Sequence, residues 1–312
     1  MPPQFSLSDR MRYLLWYLVF FYGISITFSI DVTKHPGWLL LEHKRCGNSN
    51  TDRIIGGKNA SLGAYPWLAR IGYGKPGSTD ELSYRCGGTL INRLYVVTAA
   101  HCVENLPDDF IVRGIRLGEH NTLTNPDCAR EYCAEPVQDF IPKSIISHKD
   151  YNKPPFKHDI AIIRLNQPAV YNEFVKPICM MSGELMRKSF IGEIAEVAGW
   201  GIYDINNPKS SIILQTLKLP VLEMGRCIKS FKSFTELSGQ QQMCAGGVVG
   251  EDSCGGDSGG PLMKVQSLNG PPRYYFIGIV SFGAKACGSF TTPAIYSKVA
   301  AYIPWILQNI SP

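Results

Sequence analysis

The stretch EDSCGGDSGGP, Glu251 to Pro261, sets a serine among glycines with aspartates on its N-terminal side. A serine hydroxyl is a weak nucleophile, so Ser258 can attack only with a base within hydrogen-bond reach and a third group to orient that base. Of the six histidines, His35 and His43 fall in the N-terminal segment, His120 and His148 in polar, loop-like surroundings, and His158 beside Asp159. His101, in VVTAAHC, ends a strand-like run beside a cysteine that could clamp it. The acid candidate is Asp159 in HDIAIIRL, because a carboxylate opening an apolar strand must have a partner that offsets its desolvation. Alone, each of these reads as an ordinary structural residue. Together, in the order His, Asp, Ser, they fit nucleophilic acyl transfer.

The elements that would hold them read as short β-prone runs between Gly, Pro and Asn breaks: YVVTAAHC, DIAIIRL, IAEVAGW, IILQTLKL and RYYFIGIVSF. That spacing predicts an all-β sandwich or barrel. The chain closes on KVAAYIPWILQNI, where Val299, Ile303, Ile306, Leu307 and Ile310 recur at helical spacing, with Pro304 expected in a first turn. No solenoid-period repeat or low-complexity tract is present.

The 312 residues are 45% hydrophobic and 18% charged, a globular composition with enough apolar matter for one large or two modest cores. A net charge of +5, from 31 basic and 26 acidic side chains without a basic run, argues against nucleic-acid binding. Arg10 and Arg12 precede the apolar run Tyr13 to Ile30, which reads as a targeting element. A cleaved signal peptide over residues 1–30 is the favoured reading; an uncleaved anchor would tie the chain to a membrane. Either way the rest is exported, and the expected location is secreted and extracellular. Ten cysteines suit that compartment as structural disulfides, and none has the spacing of a zinc site. Residues 31–53 read as a pro-segment too short to bury a core, ending in an exposed, mobile GNSNTD stretch. Asn59 in NAS and Asn309 in NIS are glycosylation sequons.

From Ile54 to Pro312 the chain resembles the trypsin-like (chymotrypsin-family) serine endopeptidases, through RIIGG at 53–57, TAAHC at 98–102, GWG at 199–201 and GDSGGP at 256–261. The resemblance implies two packed six-stranded antiparallel β-barrels with a C-terminal helix, and a catalytic domain over 54–312. It implies Ser258 as nucleophile, His101 as general base and then acid, and Asp159 as the group that fixes the imidazole. Gly256 and Ser258 would supply the oxyanion-hole amides. Cleavage after Arg53 would free the Ile54 ammonium to pair with Asp257, converting a zymogen into an active enzyme. Asp252 would floor a pocket for Lys or Arg, with Ser281 and Gly283 at its edge. Ala294 stands where the family usually has glycine and Phe282 where it has tryptophan, so the balance between Arg and Lys stays open. A pocket closed to long side chains is a further alternative.

The resemblance also implies the pairs Cys86–Cys102, Cys227–Cys244, Cys254–Cys287, Cys46–Cys179 and Cys128–Cys133. A further family disulfide is lost at both ends, where Ala195 and Lys264 stand. Within the family the chain looks most like arthropod haemolymph proteases of the clip type, without a clip module before Arg53. Implied partners are protein substrates cut after basic residues, an upstream activating protease and a serpin-type inhibitor. Glu119 and Asn121 resemble part of a calcium loop, but two ligands fall short of the roughly six to eight oxygens calcium takes, so no metal and no cofactor are expected. The rival function is a catalytically weak homologue that binds or assists in a cascade; the presence of His101, Asp159 and Ser258 argues against it.

Overall fold

The computed structural model describes residues 31–49, 59–201, 210–247, 257–268, 270–283 and 292–312, and among these the alternating and continuous apolar runs become fifteen strands and two α-helices. All of these but Asp31 fall in one compact unit, Val32–Pro312. Its N-terminal half holds β1 (Leu68–Gly74), β2 (Ser83–Asn92), β3 (Tyr95–Thr98), β4 (Ile111–Leu117), the two-stranded β5 (Cys128–Ala129) and β6 (Tyr132–Cys133), β7 (Gln138–Phe140), β8 (Pro142–Ser147) and β9 (Ala161–Leu165). The C-terminal half holds β10 (Ile194–Gly199), β11 (Gln215–Leu222), α1 (Met224–Phe231), β12 (Gln242–Gly246), β13 (Pro261–Gln266), β14 (Arg273–Phe282), β15 (Pro293–Lys298) and α2 (Val299–Asn309).

The C-terminal half is a closed six-stranded barrel, β10-β11-β12-β15-β14-β13, antiparallel throughout. The N-terminal half departs from the expected closed six-stranded barrel: it is a seven-stranded sheet ordered β7-β4-β1-β2-β3-β9-β8. Its two edge strands are consecutive in the chain, separated only by Ile141, and Pro142 at the break lacks the N–H that a continuous ladder needs. β7 and β8 are thus two pieces of one interrupted strand, the first paired with β4 and the second with β9. Trp67, fully buried, donates its indole N–H to Met263 Sδ at 3.0 Å and so ties the two halves together. Glu196 pairs with Met263 across β10 and β13, and continuing that register sets Lys264 opposite Ala195. There the Lys264 ammonium binds Ile194 O at 2.7 Å and Glu193 at 2.9 Å, where a cysteine pair would otherwise stand.

The N-terminal segment also differs from expectation. Residues 31–49 fold into two 3-10 turns, Val32–Lys34 and Pro36–Leu40, and bury Val32, Trp38, Leu41 and Cys46. Gly37 passes so close to Leu307 O of α2 that a Cβ would collide with it, and Asn92 Nδ2 bonds Leu40 O at 3.1 Å. Three apolar side chains offset the ordering entropy that a free segment could not, each contributing roughly 1.5–3 kcal/mol. In α2, Val299, Tyr302, Ile303, Ile306 and Leu307 face the core. Pro304 lies inside this helix, beyond the expected first turn, and removes one main-chain donor from its second turn.

Candidate active site

Sheet register brings Asp159 and His101 together. Thr98 of β3 pairs with Ala161 of β9, so the 3-10 turn Ala100–Cys102 that follows β3 lies beside Asp159, two residues before β9. Asp159 is 2% exposed and its carboxylate is fully engaged: Oδ1 accepts the His101 main-chain N–H at 2.9 Å, and Oδ2 accepts His101 Nδ1 at 2.8 Å and Ser281 Oγ at 2.5 Å. Its main-chain O accepts Ser297 Oγ at 2.8 Å. An ionised carboxylate only accepts, so the imidazole proton sits on Nδ1 and the Nε2 lone pair is left able to take up a proton. Burial alone would lower the His101 pKa; the charge of Asp159 and its hydrogen bond outweigh this and hold it above the ordinary histidine range. Ser281 was expected only at a pocket edge, and Ser297 was not singled out at all. Serine residues near the ends of strands β14 and β15 carry no sequence signal of pairing with a residue more than a hundred positions away.

Ser258 lies in a half-buried turn wedged between the two halves of the fold. Its main-chain O accepts Gly87 N at 2.8 Å, and Gly259 N donates to Val280 O at 2.9 Å. Gly259 has φ +77°, and a Cβ there would strike Thr98 Oγ1 and the Gly87 carbonyl, so this turn requires glycine on both counts. Among the described residues, Ser258 Oγ makes no hydrogen bond to His101, whose Nε2 lies 3.7 Å from Cys102 Sγ. Cys86, His101 and Cys102 cluster closely, but the two sulfurs form one disulfide and offer no thiolate to a metal.

The Asp257 carboxylate turns away from Ser258. Its Oδ1 accepts Gly201 N at 2.9 Å, and it packs against the bare Cα atoms of Gly199 and Gly201, where any side chain would collide with it. It lines a small cleft together with Arg70, Tyr84, Ala198, Trp200 and Gly260. The Arg70 guanidinium sits 4.3 Å over the Tyr84 ring and 3.5 Å from Glu119.

Gly283 faces Ala294, whose methyl lies 3.4 Å from where a Gly283 Cβ would stand. Phe282 packs against Phe156 and Phe231, with ring centroids 4.6 and 5.4 Å away. Arg53, Ile54, Asp252, Gly256 and the pair Cys254 and Cys287 lie outside the described residues. Disulfides join Cys46 to Cys179, Cys86 to Cys102, Cys128 to Cys133 and Cys227 to Cys244. Asn59 Oδ1 accepts Gln215 Nε2 at 2.9 Å on an exposed edge, whereas the Asn309 amide donates to Trp305 O at 2.8 Å and is half-buried. At the acidic loop, Glu119 faces Arg70 and Arg116, and burial raises its pKa. The buried Asp127, which was not singled out in the sequence, accepts His120 N and Asn121 N at 2.9 Å and Thr124 Oγ1 at 2.5 Å. Both carboxylates are turned on N–H, O–H and guanidinium donors.

The family model described as Trypsin matches residues 54–306. The chain belongs to the trypsin family. It is a serine-type endopeptidase, and its mostly β fold is that of trypsin-like proteases. Melanization protease 1 of Drosophila melanogaster is 39% identical over 287 residues, 89% of this chain and 71% of that protein. CLIP domain-containing serine protease HP8 of Bombyx mori is 38% identical over 90% of this chain and 76% of its own length. The solved structure of the Drosophila Grass clip serine protease of the Toll pathway superimposes with a TM-score of 0.72 at 34% identity, covering 84% of this chain and 73% of that one. Among the described residues, no helix is long and apolar enough to cross a membrane.

Proposed function

We propose that the chain is exported as a zymogen, is cleaved after Arg53, and then hydrolyses protein substrates after Arg or Lys. The observation that carries the catalytic part is the double hold of the Asp159 carboxylate on His101, through main-chain N at 2.9 Å and Nδ1 at 2.8 Å. In this reading Ser258 Oγ attacks the scissile carbonyl carbon while its proton passes to His101 Nε2. The oxyanion is met by the amides of Gly256 and Ser258. Asp159 stabilises the imidazolium; His101 then hands its proton to the leaving amine, and water cleaves the acyl-enzyme by the reverse roles.

Activation follows from charge. A buried ammonium is tolerable only beside an opposite charge, and Asp257, seated against Gly199 and Gly201, is the acid offered to Ile54. Ile54 lies five residues before Asn59, which bridges to Gln215, so its reach is at most roughly 17 Å and the rearrangement is local. Residues 1–30 act as the leader, 31–53 as the activation segment and 54–312 as the catalytic domain. Asp252 reads the substrate's basic side chain, with Gly283 and Ala294 shaping the pocket. The names of the relatives, Melanization protease 1 and Spaetzle-processing enzyme, support a place in a proteolytic cascade, with an upstream protease as activator and a serpin-type protein as inhibitor. Hydrolysis of matched peptides ending in Arg, Lys or Phe, before and after cleavage at Arg53, tests this reading. Activity confined to the Phe peptide would discard the Asp252 assignment.

A further inference from the structure

Behind Asp159 lies a group of side chains that the chemistry above does not use. His158, the residue directly before Asp159, has φ +54°, a left-handed conformation uncommon for anything but glycine, asparagine and aspartate. Its carbonyl accepts Ile160 N at 2.9 Å, so the chain makes a tight turn with Asp159 at its centre. The His158 ring stacks on His148, with centroids 4.5 Å apart and planes 10° from parallel. Tyr302 of α2 stands edge-on to both rings, its hydroxyl 3.4 Å from His158 Nδ1, and Trp305 covers His148 at 5.4 Å.

One hydrogen bond fixes the protonation of His148. Asp150 N–H donates to His148 Nδ1 at 3.2 Å, so that nitrogen carries no proton. His148 is therefore neutral in this arrangement, and a proton on its Nδ1 removes the contact that ties it to Asp150. The Tyr302 hydroxyl lies 3.4 Å from His158 Nδ1, a contact in which either atom can donate. We propose that His148 and His158 are positioning residues for Asp159: their stack, clamped by Tyr302 and kept intact by a neutral His148, holds the left-handed turn that aims the carboxylate at His101. The inference rests on the reading of Asp159 as the acid that orients His101.

The surrounding charges agree in sign. The His148 pKa is lowered by burial first, then by His158 and Lys149, against the pull of Asp150. That of His158 is lowered by burial first and by Lys157, against the pull of Asp150. The charged or titratable groups facing the pair are therefore Lys149, Asp150, Lys157 and Asp159 from its own loops, and Tyr302 from α2. Because the His148 pKa lies below the ordinary histidine range in the folded state, its contribution is whole above about 6.5 and fails as pH falls beneath it. His101, with its raised pKa, protonates first, and His148 follows at lower pH.

The test is the acid limb of kcat/KM for the enzyme cut after Arg53, with the Ile54 N-terminus confirmed by sequencing. The wild-type limb is expected to fall about tenfold per pH unit and then steepen toward about a hundredfold. His148→Phe keeps a flat ring that cannot titrate; its limb stays near tenfold per unit throughout. His158→Asn tolerates the left-handed turn but lacks the ring, and should lower kcat about tenfold at neutral pH with KM unchanged. His148→Gln, which retains an acceptor for Asp150 N–H, serves in place of a phenylalanine variant that does not fold. Limbs that superimpose on wild type, with kcat of His158→Asn unchanged, overturn the inference. Asp159→Asn separates the two readings. Activity retained in that variant overturns the role of Asp159 itself, whereas activity lost there with superimposing His148 profiles overturns only the positioning pair.

Discussion

Asp159 holds His101 by two atoms at once: Oδ1 takes the main-chain N–H at 2.9 Å and Oδ2 takes ring Nδ1 at 2.8 Å. The first bond places the residue and the second fixes its tautomer. Asp159→Asn offers an NH2 group to one of these donors and reverses the imidazole tautomer. The expected loss is about 10³–10⁴-fold in kcat with little change in KM, read by steady-state hydrolysis of an Arg peptide by the cleaved enzyme. A loss below tenfold would contradict the assigned role.

Because Asp159 outweighs burial and raises the His101 pKa, His101 becomes neutral only above the ordinary histidine value near 6.5. The first acid-limb midpoint of kcat/KM should therefore lie above about 6.5. The linkage has the matching sign: the folded state binds the His101 proton more tightly than the unfolded chain. This pair's contribution to stability is thus whole below about 6.5 and is lost as pH rises through the folded value. NMR titration of the His101 ring checks both statements.

Gly201→Ala places a methyl group on the Asp257 carboxylate. Overpacking of this kind costs about 1–3 kcal/mol. The variant should be cleaved normally at Arg53, yet show at least about tenfold less activity than wild type and a lower Tm.

Trp38 is buried in the segment that packs on α2 and stacks on His43 with centroids 4.7 Å apart. Trp38→Ala should destabilise the whole domain by about 3 kcal/mol, seen as a lower midpoint in urea. An unchanged midpoint would mean that the segment is a passive tail.

The strands and the closing helix were legible because their residues follow the periods of 2 and 3.6, and the turn at Gly259 because only glycine fits it. Other features were not. The burial of Val32, Trp38 and Leu41 depends on a surface offered by α2 far along the chain, which no local pattern announces. The break between β7 and β8 could have been read from Pro142, but only once both neighbouring strands were known. Ser281 and Ser297 reach Asp159 through sheet register alone, as does the stacking of His148 on His158. Asp257 and the GWG glycines were each visible, but the fit of the carboxylate onto Gly201 is a property of the assembled barrel.

The most direct measurement compares hydrolysis of Arg, Lys and Phe peptides by the purified chain before and after cleavage at Arg53, with Ser258→Ala as control. The account predicts activity on the Arg and Lys peptides only after cleavage, and none from the alanine variant. Absence of activity in a preparation whose N-terminus is confirmed as Ile54, or equal activity before cleavage, would contradict it.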